Sequence, residues 1–146
     1  MVCLGNICRS PIAHGILQTK IELEGLEWQV DSAGTSGWHA GELPDPRSIQ
    51  VAQSNGIDLT SQRSQKFESS FFETYDLIVA MDSSNYSNIC ALASDESQKE
   101  KVKLLMNYAY PGENRQVPDP YYEGGFQAVF DMINLAVDNL VDSFRK

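Results

Sequence analysis

The stretch YDLIVAM at residues 75–81 constrains the fold more than any other part of the chain. It is a continuous apolar run, without the alternation of a strand that has one wet face. Such runs fill parallel strands covered on both sides. Parallel neighbours need long crossovers, usually helical, and the flanking sequence supplies helical patterns. Residues Ser10 to Leu23 read as a helix, with Pro11 suited to the first turn and Ile12, Ile16 and Leu17 on one face. WQVDSAGT (28–35) reads as a short strand running into a glycine turn, and KVKLLM (101–106) as another strand. DPRSIQVAQSNG (45–56) starts a helix at Asp45-Pro46 and stops it at Asn55-Gly56. Asp45 and Arg47 are expected to form a local ion pair at that start, with no chemistry assigned. DSSNYSNICALA (82–93) follows as a helix capped by Asp82 or Ser83, with Cys90 as plain core.

The last helix is the clearest. Phe126, Val129, Phe130, Ile133, Ala136, Val137, Leu140, Val141 and Phe144 recur at steps of three and four, an apolar stripe for packing on a sheet. The expectation is therefore an α/β fold: a single domain over residues 1–146, with a central four-stranded parallel sheet and helices on both faces. In such folds ligands bind outside the carboxyl ends of the strands. That place is held here by the segment from Cys3 to Ser10, between the first strand and the first helix.

This segment, CLGNICRS, combines residue types that suit a doubly charged oxyanion. Backbone N–H groups of a loop around an anion, with the N-terminus of the following helix, concentrate positive potential. A thiol in such a place has its pKa lowered from ~8.5 to roughly 3.5–7.5, which makes Cys3 a candidate nucleophile. Gly5 lets the backbone approach the anion. Arg9 offers a planar fork for two oxygens, and Ser10 can donate a hydrogen bond to the thiolate. The net charge of −9 makes local geometry the only source of attraction, and it excludes a nucleic-acid backbone as partner. A proton donor is available in VPDPYYEGG (117–125), where Asp119 sits between two prolines in a stiff segment. Asp119 can protonate a leaving oxygen and then activate water. Tyr121, Tyr122 and Trp38 are candidate aromatic walls for a flat leaving group.

The strings VCLGNICRSP, DSAGTSGWHAG, PDPRS, AMDSSN and PDPYY, in this order, resemble the low-molecular-weight protein tyrosine phosphatases over essentially the whole chain. The resemblance implies phosphotyrosine hydrolysis through a phosphocysteine intermediate, with Cys3 as nucleophile, Arg9 as phosphate clamp and Asp119 as general acid. It implies backbone contacts to the phosphate from Leu4, Gly5, Asn6, Ile7, Cys8 and Ser10, with Trp38, Tyr121 and Tyr122 at the mouth. Asn6 and Ser32 resemble residues that hold the loop's shape by hydrogen bonding. Cys8 is either a structural neighbour or a resolving thiol that traps oxidised Cys3 as a disulfide. No cofactor is implied, and no metal: His14 and His39 lack a partner at ligand spacing. Phosphotyrosine-containing proteins are the implied partners of a cytoplasmic monomer, with neither nucleic acid nor membrane involved.

Alternatives on the same scaffold are arsenate reduction, arginine phosphatase activity and a non-catalytic phosphate-binding module. Arsenate reduction needs a downstream cysteine pair, and Cys90 stands alone. Arginine phosphatases resemble this loop but with Thr where Ile7 stands, and an idle module would leave Asp119 without a task. The chain departs from the family pattern in two places. Only Met1 and Val2 precede Cys3, where strands commonly run about five or six residues, so the expectation is that a few native N-terminal residues are missing. In LTSQRSQKF (59–67) Gln62 stands about where the family often has a histidine, and no role is attached to it.

Overall fold

The computed structural model describes residues 1–145. The apolar run does form a buried parallel strand, but a shorter one than the run itself. Four strands, β1 (Val2–Cys3), β2 (Ala33–Gly34), β3 (Ile78–Ala80) and β4 (Val102–Leu104), make one sheet in the order β2-β1-β3-β4. Every pairing is parallel. Side chains alternate within β3: Val79 points into one apolar core, Ile78 and Ala80 into the other. That two-sided burial is why the run carries no polar alternation.

The larger core lies under α1 (Arg9–Glu24), α2 (Pro46–Ser54) and α7 (Phe126–Ser143). The expected stripe of α7 is buried from Val129 to Val141, and each large side chain there contributes about 1.5–3 kcal/mol of transfer free energy. Phe144 lies just past the helix and stays half exposed, meeting the Trp28 ring edge-on at 5.7 Å. The opposite face is covered by α3 (Phe71–Thr74) and α4 (Ser83–Cys90), with Phe72 and Ile89 fully buried. The short helices α5 (Glu96–Lys99) and α6 (Pro120–Glu123) complete the chain order.

The differences from the sequence reading have physical causes. Of the strand expected over 28–35, only Ala33–Gly34 pairs. Its register sets Ala33 against Val2 and Gly34 against Cys3, and residues 28–30 lie beyond the reach of β1. The strand expected over 101–106 ends at Leu104, where Leu105–Tyr108 turn as a 3-10 helix. Of the two cap candidates for α4, Asp82 is the one used: its carboxylate accepts from the Asn85 N–H at 2.7 Å.

Candidate active site

The segment Leu4–Cys8 leaves β1 at its carboxyl end and enters α1 directly, so the first-turn N–H groups of a 16-residue helix open onto the loop. The loop's carbonyls are tied away from its centre. Thr35 N–H donates to Cys3 O at 2.9 Å, Ser36 N–H to Leu4 O at 2.9 Å, and Asp45 N–H to Ile7 O at 2.8 Å. Ser64 Oγ donates to Gly5 O at 3.0 Å, and Ser48 Oγ to Cys8 O at 3.5 Å. In a trans peptide the N–H points opposite to the C=O. Anchoring these carbonyls outward therefore turns the N–H groups of Leu4, Gly5, Asn6, Cys8 and Arg9 the other way, and together they form a nest for an anion.

Asn6 holds the turn. It has φ of 55°, in the left-handed region that Asn tolerates. Its side chain donates to Ser10 Oγ at 2.8 Å and accepts from the Gln65 N–H at 3.0 Å. Ser10 Oγ in turn lies 3.0 Å from Cys3 Sγ. With its lone pairs engaged by Asn6, the Ser10 hydroxyl proton is free to point at sulfur. Cys8 is buried, and burial, with Asp45 nearby, pushes its thiol up to about 12. The two loop cysteines therefore occupy different chemical settings.

Arg9 is almost fully buried, and its charge is met from two directions. Nη1 donates to Asp82 at 2.6 Å and to Val117 O at 3.0 Å, while Nη2 stands 3.6 Å from the Asp119 carboxylate. Asp119 caps α6, accepting from the Tyr121 N–H at 3.1 Å, and keeps a part-exposed carboxyl. The rings of Tyr121 and Tyr122 pack edge-on at 5.0 Å, and both are exposed, as is Trp38. Next to Trp38, the His39 ring sits 3.2 Å from where a Cβ on Gly5 would project. Cys3, Arg9, Ser10 and Asp119 thus converge, with aromatic side chains flanking the acid.

One expectation needs correction. Ser32 does not touch the loop: its hydroxyl pairs with His14 Nδ1 at 3.1 Å, because the register places it at the opposite end of β1 from the loop. Gln62 donates to Pro11 O at 3.0 Å, and the neighbouring Ser64 and Gln65 are what reach the loop. Sequence reasoning gave Asp82 a capping role only and missed its contact with Arg9. A signal was present, since Asp82 directly follows the buried strand at the end where such folds bind ligands.

A family model described as low molecular weight phosphotyrosine protein phosphatase matches residues 1–146. The chain is 42% identical over 149 residues to a putative low molecular weight protein-tyrosine-phosphatase of Synechocystis sp., covering 99% of this chain and 94% of that one. It is 45% identical over 126 residues to the low molecular weight phosphotyrosine protein phosphatase of Schizosaccharomyces pombe, covering 84% and 80%. Among solved structures, YfkJ from Bacillus subtilis superposes with a TM-score of 0.92 at 33% identity, covering 99% of this chain and 91% of that one. The protein tyrosine phosphatase of Entamoeba histolytica with Hepes in its active site gives 0.91 at 36% identity, covering 99% and 94%.

Proposed function

This chain belongs to the low molecular weight phosphotyrosine protein phosphatase family, and from that premise we propose that it hydrolyses phosphotyrosine and small aryl phosphates with Cys3, Arg9 and Asp119 as the reacting and clamping groups. The phosphoryl group sits in the nest of N–H groups from Leu4, Gly5, Asn6, Ile7, Cys8, Arg9 and Ser10, with two oxygens on the Arg9 fork. Cys3 Sγ attacks phosphorus as the thiolate. The S–P bond forms, the P–O bond to the ring breaks, and Asp119 gives its proton to the departing phenolate oxygen. In the second half Asp119, now a carboxylate, takes a proton from water as that water's oxygen bonds to phosphorus. The S–P bond breaks, and the leaving thiolate is received by the hydrogen bond from Ser10.

The observation that carries this reading is the outward anchoring of the loop carbonyls around a sulfur 3.0 Å from a hydroxyl donor. Trp38, Tyr121 and Tyr122 suit a phenyl group held between the loop and solvent. All these groups come from one chain, so a monomer suffices. The free thiols Cys3, Cys8 and Cys90 fit a reducing compartment such as the cytoplasm. Hydrolysis of an aryl phosphate by the wild-type protein, by Cys3→Ser and by Asp119→Ala tests the assignment. Cys3→Ser removes turnover, and Asp119→Ala lowers kcat by about 10²–10⁴. Turnover that survives Cys3→Ser overturns the reading.

A further inference from the structure

The stretch before α2 does more than start a helix. Asp45 is buried, and its N–H is one of the groups that anchor the loop, donating to Ile7 O at 2.8 Å. Its carboxylate grips Arg47 in a fork, with Nε on one oxygen at 3.0 Å and Nη2 on the other at 3.0 Å. Held in that way, the Arg47 guanidinium reaches the segment that carries the acid. It lies 4.8 Å from the Phe126 ring centroid and 5.4 Å from that of Tyr121, and Nη1 stands 3.5 Å from the Tyr121 carbonyl. Tyr121 is also the residue whose N–H donates to the Asp119 carboxylate. An unbroken series of contacts therefore runs from Ile7 in the anion loop through Asp45 and Arg47 to the Asp119 turn, across 112 positions of sequence (7 to 119).

We propose that Arg47 is a positioning residue for the general acid: its guanidinium, fixed by Asp45 to the back of the anion loop, holds the Asp119 turn at the distance from which its carboxyl can meet the leaving oxygen. Apart from the 3.6 Å approach of Arg9 Nη2 to Asp119 and the buried Pro120, the turn has few other restraints. α6 is a four-residue helix between two left-handed glycines and a proline-bounded aspartate, with the exposed rings of Tyr121 and Tyr122 on its surface. A planar guanidinium satisfies the fork and the two ring faces at once, which an ammonium does not. The inference rests on Asp119 acting as the acid, and its test separates the two claims.

The variant is Arg47→Met, which keeps the apolar stem on a half-exposed site. General-acid help matters for a poor leaving group and little for a good one. Arg47→Met therefore slows phosphocysteine formation from phenyl phosphate by about tenfold and from 2,4-dinitrophenyl phosphate by less than about twofold. In the Asp119→Ala background it has no further effect. Equal losses with both esters, or effects that multiply in the double variant, overturn the proposal. Amide hydrogen exchange supplies a readout that needs no turnover. Tyr121 and Gly124, whose N–H groups bond to Asp119 and to Pro120 O, exchange at least about tenfold faster in Arg47→Met, while α1 is unchanged. If the wild-type protein cleaved no aryl phosphate, the functional reading would fail, and unchanged exchange would by itself overturn the role of Arg47.

Discussion

Arg9 and Asp82, 73 positions apart in sequence, meet at 2.6 Å beneath the anion loop, and the same Asp82 carboxylate caps α4 through the Asn85 N–H. One oxygen, Oδ2, takes the guanidinium, and the other, Oδ1, takes the helix. The clamp is thus oriented before an anion arrives, and its orientation is set by a helix that begins at the carboxyl end of β3. Preorientation of this kind reduces the entropy lost on binding.

Substituting Asp82 separates its two tasks. Asp82→Ala leaves a buried guanidinium with Val117 O as its remaining close partner, a loss of about 3–5 kcal/mol for a broken buried pair. Asp82→Asn has one amide oxygen, which keeps the α4 cap while its NH2 faces the Arg9 guanidinium, so it costs less than Asp82→Ala only by the capping contribution, about 1 kcal/mol. Both variants lose about tenfold or more in kcat/KM for an aryl phosphate, because Arg9 is no longer held in one orientation. Urea titration with parallel kinetics checks this. Equal stability of the two variants would contradict the account.

At Asn6 a similar split distinguishes backbone from side chain. Asn6→Ala loses the bonds to Ser10 and to the Gln65 N–H and must also adopt a φ of 55°, so it is destabilised by roughly 2–4 kcal/mol. Asn6→Gly loses the same bonds without the backbone strain and is about 1 kcal/mol more stable than the alanine variant. The two share one kinetic defect, since Ser10 is released from Asn6 in both. A glycine variant with wild-type kcat would show that Asn6 serves the backbone only.

The parts of this molecule that were legible in sequence are those encoded locally. The spacing from Cys3 to Arg9 and Ser10 lies within one loop and one helix turn, and the stripe from Val129 to Val141 repeats within one helix. Asp119 stood out because the prolines on either side fix its backbone. What escaped was set by pairing between distant segments. Ser32 and Ser64 are equally polar and equally close to glycines or glutamines in sequence. The register of β2 on β1 sends Ser32 toward His14, and the separate bridge of Lys66 on Gly34 brings Ser64 to Gly5 O. Asp82 looked complete as a helix cap, because a carboxylate that satisfies one N–H gives no sign of a second partner 73 positions away.

Gly34 is where the sheet and the loop come closest. A Cβ there would lie 2.8 Å from Leu4 O and 3.0 Å from Asn6 N and Gly5 C, all backbone atoms of the anion loop. Gly34→Ala must therefore push the loop, at about 1–3 kcal/mol and with at least a tenfold fall in kcat/KM. Gly15→Ala is the control: its Cβ would meet Leu59 Cδ2 at 2.4 Å and Ile57 Cγ2 at 3.0 Å, side-chain ends remote from the loop. It alters stability, with kcat/KM kept within about twofold. Kinetics and denaturation of both variants decide the matter, and a fully active Gly34→Ala would refute the close-approach argument.

The last prediction concerns pH and a residue away from the chemistry. His14 lies on α1 with Nδ1 against the Ser32 hydroxyl. Burial, with the Met1 ammonium adding to it and Asp31 opposing, lowers its pKa from 6.5 to about 4. The folded protein thus keeps His14 neutral over a range where the unfolded chain takes up a proton. Because the unfolded state binds more protons there, stability is full above about pH 6.5 and falls as pH drops toward 4. The loss reaches about 2 kcal/mol by pH 5, from roughly 1.4 kcal/mol per unit. In His14→Gln, where the amide can still meet Ser32 but does not titrate, urea midpoints between pH 7 and 5 decline less steeply by that amount. Identical slopes for the two proteins would mean that His14 takes up its proton in the folded state as readily as in the unfolded chain.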